Sequence, residues 1–176
     1  MINSIKSPRF IVLSLLVLAA AATRALPLFI PHIWNFTAVG ALAIFAGAQF
    51  NDKRFALFMP LAAMAVSDLF IGNGFDPIVY SGFIAMVVCG MLISKRQSVA
   101  NLFLASISGA LVFYLITNFA FFYPVTMYPH NFSGIIASYV AALPFLNNML
   151  AGNLIYGTLL FGSFYLLSQR FPSLAK

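Results

Sequence analysis

Charge is scarce in this 176-residue sequence: only 7% of its residues are Asp, Glu, Lys or Arg, against about a quarter in an average soluble domain. Hydrophobic residues make up 62%, and the mean hydropathy is +1.00. Such a composition excludes a cytosolic enzyme and a disordered tail. Glutamate is absent, the acidic residues are Asp52, Asp68 and Asp76, and the histidines are His32 and His130. Few groups are therefore left for acid–base chemistry. The single cysteine, Cys89, excludes an internal disulfide framework and a cysteine-rich metal site. The motifs G-x-x-x-x-G-K-[ST], H-E-x-x-H and G-x-S-x-G do not occur. The sequence reads as that of a non-enzyme, with no cofactor and no metal: His32 and His130 lack a third ligand at recognisable spacing.

What is abundant is apolar sequence in long runs. A membrane helix needs about 20 mostly apolar residues, and six segments approach that: 10–29, 33–50, 55–71, 78–94, 99–122 and 145–167. The expected fold is all-α, a single polytopic domain over 1–176. The nine basic residues flank these runs instead of forming a patch, which argues against nucleic acid and for topology signals. Lys6 and Arg9, Lys53 and Arg54, Lys95 and Arg96, and Arg170 and Lys176 all fall on one side of a six-span arrangement. By the positive-inside rule that side, with both termini, is cytoplasmic. Lys6, Arg9 and the following apolar and alanine residues also resemble a secretory signal. The apolar character continues past Arg24, however, and favours retention of the first span. The connection 124–144 is too long for a tight turn and too apolar for a solvated loop. Its middle, 133–143, predicts a short interfacial or re-entrant helix on the outer side, bracketed by Pro129 and Pro144 as breakers.

Small residues line several runs: Ala21 and Ala25 four apart in the first, Gly40, Ala43 and Gly47 in the second, Ala105 and Gly109 in the fifth. They serve either close packing within the bundle or docking of a membrane partner. Ionisable groups inside a span are costly and mark candidate sites. Arg24 and Asp68 both lie roughly 20 Å from the cytoplasmic edge. They read either as a structural ion pair or as the polar floor of an outward pocket. Asn35, Thr37, Asp76, Asn118, Tyr128 and Asn147 approach the same outer level. Trp34, Tyr123 and Tyr128 are either an interfacial belt or an aromatic frame for that pocket.

Arg24, Asn35-Phe36-Thr37, the run from Pro60 to Leu69, Thr117-Asn118-Phe119, Tyr128-Pro129 and Ala142-Leu143-Pro144-Phe145 with Asn147 resemble an uncharacterised family of small six-helix bacterial inner-membrane proteins. That set is similar in turn to S components of energy-coupling factor (ECF) transporters. The resemblance implies an inner-membrane substrate-binding subunit for a vitamin or related micronutrient, cobalamin among the candidates, held in an outward pocket. It implies substrate contacts from Arg24, Asn35, Asp68, Asn118, Tyr128 and Asn147. It also implies docking of a coupling transmembrane subunit and its ATPases at Ala21 and Ala25. Some relatives place a cysteine near bound cobalt, but Cys89, about 18 Å from the outer edge, is too deep for that role. A departure is Asn153, where the resemblance leads one to expect an acidic residue. The rival reading is a non-catalytic structural or assembly protein of a membrane complex.

Overall fold

A computed structural model describes residues 7–24, 35–72 and 74–174. Among them are six α-helices: α1 (Pro8–Ala22), α2 (Val39–Gln49), α3 (Lys53–Ile71), α4 (Pro77–Leu92), α5 (Val99–Thr117) and α6 (Phe132–Arg170). Short 3₁₀ turns follow α5 (Ala120–Phe122) and α6 (Pro172–Leu174). Polar caps start most of the helices: Ser7, Asp52, Asp76, Ser98 and Asn131 each accept a hydrogen bond from a backbone N–H of the first turn. The helices α3, α5 and α6 are long and apolar enough to cross a membrane, while α1, α2 and α4 are shorter apolar helices. The expected continuation of the first two spans, including Ala25, His32 and Trp34, lies outside the described residues.

Several boundaries differ from those read in the sequence: α1 ends at Ala22, and α2 starts only at Val39, after turn and bend residues at 35–38. The fifth run ends as a helix at Thr117, because Asn118 closes it: its backbone N–H and its Nδ2 both donate to the Tyr114 carbonyl, at 3.2 and 2.9 Å. The larger correction concerns the expected interfacial helix. It is not separate: α6 runs unbroken for 39 residues with Pro144 inside it. Proline removes the bond to the carbonyl four residues back, here Val140. Val140 is 58% exposed and Pro144 is exposed as well, so the interruption falls on the outer face and leaves the packed face continuous. At 1.5 Å per residue α6 is about 58 Å long, nearly twice a bilayer's hydrocarbon core.

The bundle is organised around α2, which is buried at every position from Val39 to Gln49. A helix apolar on every side is either central or lipid-facing, and burial at every position makes α2 the central one. Its contact with α4 is made through backbone. A Cβ added to Gly47 would collide with the Val87 carbonyl, and one added to Gly90 would collide with the Ile44 carbonyl. Farther along α2, Gly40 leaves room for the side chains of Asn153 and Met86. Phe45 fills the gap toward α6, edge-on to Phe161 and Phe164 at 5.1 and 5.8 Å. The glycines and alanines of the second run are thus consumed inside the bundle, and so is Ala21, which is 7% exposed. Among the described alanines of α1, Ala19 and Ala22 are the exposed ones.

Antiparallel alternation brings matching ends together. At one end Arg9 of α1 donates to the carbonyls of Leu174 and Gln49, and Gln49 Nε2 donates to Gln97 Oε1 at 2.8 Å. At the other end lie Arg24, Asp68 and Tyr80.

Replacing Gly47 or Gly90 by alanine is expected to lower stability by about 1–3 kcal/mol or more, since neither backbone can withdraw without separating the helices. Gly162→Ala on α6, where an added Cβ meets nothing within 4 Å, should be neutral or stabilising by up to about 1 kcal/mol. Thermal melts of the three variants in one detergent check the contrast.

Candidate ligand cavity

The end of the bundle opposite Arg9 is built on a buried charge cluster. Arg24, just past the end of α1, reaches α3, where its Nη2 lies 2.6 Å from Asp68 Oδ1. Arg24 Nη1 donates to Ser67 Oγ at 2.7 Å and more distantly to the Met64 carbonyl at 3.3 Å. From α4, Tyr80 donates its hydroxyl to the other Asp68 oxygen, Oδ2, at 2.8 Å. Asp68 is 6% exposed, so its charge is answered by one cation and one hydroxyl, as burial requires. The arginine and aspartate expected at one depth therefore do meet, and they join α1, α3 and α4.

Beside this cluster opens a cavity of about 620 Å³, between α4, α5 and α6. Its wall is mainly aromatic and apolar, with Phe83, Phe113, Tyr114, Phe145, Leu146 and Met149. Arg24, Asn35, Thr37, Asp76, Thr117, Asn118 and Tyr123 supply polar groups. A size of this order with few polar groups in an apolar frame suits a small-molecule site. Asn35 stands at φ +61°, a left-handed conformation that asparagine tolerates better than most residues. Asp76 is partly committed elsewhere, because its Oδ1 accepts from the N–H groups of Ile78 and Val79 at the start of α4.

Of the six residues expected to contact substrate, Arg24, Asn35 and Asn118 line the cavity. Asp68 stands behind Arg24 as its counter-ion. Tyr128 packs edge-on against Tyr123 at 5.4 Å, one layer outside the wall. Asn147 is exposed beside Leu146, which faces the cavity. Asn153, the departure from the resemblance, is 1% exposed and donates to the Ser106 carbonyl at 3.3 Å, away from this cavity. Tyr114 was not singled out by the sequence: it sits mid-run, and only its α5 phase turns it inward. It also links helices, donating its hydroxyl to the Tyr139 carbonyl at 2.6 Å.

The segment after α5 closes the rim. Tyr123 donates to the Thr117 carbonyl at 3.0 Å, and its own carbonyl lies 2.9 Å from His130 Nε2. Burial, reinforced by Tyr128 and Asp76, pushes the Tyr123 phenol above its ordinary pKa. His130 also stacks on Phe121 at 4.6 Å. Among the described residues no three His, Cys, Asp or Glu side chains converge as a metal site.

Over residues 4–174 the sequence matches the family of unknown function DUF6580, and the chain belongs to that family. No curated protein and no solved structure matches it.

Asp68→Asn should destabilise by about 3 kcal/mol, since it leaves Arg24 partly buried without a counter-ion. Tyr80→Phe should cost about 1 kcal/mol. The paired replacement of Arg24 by Met and Asp68 by Leu should recover most of the loss, because it removes both charges together. Thermal denaturation of the single and double variants reads the coupling.

Proposed function

We propose that this DUF6580 protein is a membrane-embedded capture subunit, similar in design to the S components of ECF transporters, that takes a vitamin-like micronutrient into its outer cavity. The single observation that carries the reading is the cavity itself: about 620 Å³ with an aromatic frame and an arginine held at its edge by a buried aspartate. In this reading all six helices span the bacterial inner membrane. The basic end, with both termini, lies in the cytoplasm, in accord with the positive-inside rule. Arg24, Asn35, Asn118 and Tyr123 would orient a polar ligand group. Asp68 would keep Arg24 extended, and Tyr128 would brace Tyr123 from outside. The aromatic walls suit a planar or ring-bearing body.

The protein would bind without catalysing. Of the two acidic side chains near the cavity, Asp68 is occupied by Arg24 and Tyr80, and Asp76 commits one oxygen to the start of α4. Release would draw energy from a coupling transmembrane subunit and its ATPases. Because Ala21 is buried in the bundle, such a partner would meet the exposed small residues Ala19 and Ala22 on α1.

The test is a thermal-shift screen of the detergent-solubilised protein against vitamins, cobalamins and nucleobases. A ligand at a hundred times its dissociation constant should stabilise by about 2.7 kcal/mol. Asn35→Gly, which keeps the left-handed backbone, and Phe145→Trp, which fills the cavity, should each reduce the shift. A panel with no shift, together with a membrane protein that co-purifies stoichiometrically, would replace this reading with the assembly role.

A further inference from the structure

A second cavity, of about 740 Å³, lies at the opposite end, between α5 and α6. Its inner wall is apolar, with Leu102, Leu154, Phe161 and Phe164. Its rim carries Val99, Phe103 and Tyr165, which are 84%, 50% and 63% exposed. The cavity therefore opens sideways, onto the flank of the bundle.

A buried cation borders it. Arg9 is 8% exposed and lies over the Phe164 ring at 5.0 Å. Its two Nη groups donate to the Leu174 carbonyl, the Gln49 carbonyl and Gln49 Oε1. Every one of these acceptors is neutral. Its Nε is buried with no hydrogen-bond partner. Asp68 pairs with Arg24, Asp52 and Asp76 cap α3 and α4, and among the described residues no carboxylate pairs with Arg9. A buried charge normally has a counter-ion. Lys95 adds a second cation to the lining. Asn153 lines the cavity too, but its Oδ1 turns away toward Gly40 of α2.

We infer that this cavity holds an anionic phospholipid of the surrounding bilayer, its phosphate near Arg9 and Lys95 and an acyl chain along the apolar wall between α5 and α6. The exposed apolar side chains of Val99, Phe103 and Tyr165 decide for a lipid over a soluble anion, because an acyl chain would cover them and a soluble anion would leave them bare. Lys and Arg near a membrane surface attract anionic head groups by about 1 kcal/mol each. The inference rests on the bilayer placement proposed above but is independent of the outer cavity and its ligand.

The experiment is native mass spectrometry of the intact detergent-purified protein titrated with phosphatidylglycerol. Phosphatidylcholine is the head-group control and inorganic phosphate the chain-free control. Phosphatidylglycerol should be retained about thirtyfold better than phosphatidylcholine, and phosphate alone should neither be retained nor raise the melting temperature. Gly162→Leu should abolish the preference by filling the cavity at a position where an added Cβ meets nothing within 4 Å, with the lipid-free melting temperature unchanged. Arg9→Gln should abolish it too, whereas Arg9→Lys should keep most of it. If Arg9→Gln does not fold, Lys95→Gln takes its place with a severalfold loss. Equal retention of the two lipids would overturn the inference, as would a preference that survives Gly162→Leu. Stabilisation by phosphate as strong as that by phosphatidylglycerol would assign the site to a soluble anion and overturn the lipid. Absence of the protein from the membrane fraction would instead sink the bilayer placement itself.

Discussion

The backbone contact between α2 and α4, made where Gly47 faces the Val87 carbonyl and Gly90 faces the Ile44 carbonyl, sets the spacing of the bundle. Helices that touch at glycine lie closer than side-chain packing allows, and between apolar helices in lipid dispersion contacts supply much of the attraction. With α4 fixed against α2, Phe83 and Phe113 meet at 4.7 Å and form part of the outer cavity's wall. Tyr80, on the same helix, is brought within reach of Asp68. The outer site thus depends on a contact buried deep in the bundle and made of atoms that carry no chemistry of their own.

The two ends of the molecule treat charge differently. At the outer end Arg24 has a carboxylate partner, so the cluster is close to neutral and can stay rigid beside an aromatic cavity. At the basic end Arg9 is held by carbonyl oxygens, two of its three acceptors belonging to Gln49 at the C-terminus of α2, where the helix dipole favours a cation. That arrangement orients the guanidinium without cancelling its charge. The same side chain ties together α1, α2 and the 3₁₀ turn after α6.

Much of this was legible in the sequence, for identifiable reasons. Runs of apolar residues bounded by polar caps located α3 and α4 to within a few residues. Arg24 and Asp68 could be paired because ionisable groups in apolar runs need partners and these two shared a depth. The continuity of α6 could not be read, because whether Pro144 breaks a helix depends on which face its missing bond falls. Helical phase likewise decided Asn147 and Tyr114: one step along α6 separates exposed Asn147 from Leu146 in the wall. Arg9 read as a flanking topology charge because its acceptors include main-chain carbonyls, which no side-chain pattern advertises. Asn153 looked like a departure at a binding position, yet it occupies the space left by Gly40 inside the bundle.

The unequal neutralisation of Arg9 and Arg24 has an electrical meaning. A transmembrane potential does most of its work on net charge, about 2.3 kcal/mol for each elementary charge moved through 100 mV. Arg24 and Asp68 together form a dipole that a field can turn but hardly translate. Arg9 and the basic residues around it do feel the field. In the proposed orientation, a potential negative inside holds that end toward the cytoplasm and leaves the Arg24–Asp68 pair electrically indifferent. Under the proposed function, a neutral micronutrient entering the outer cavity would do no work against the membrane potential.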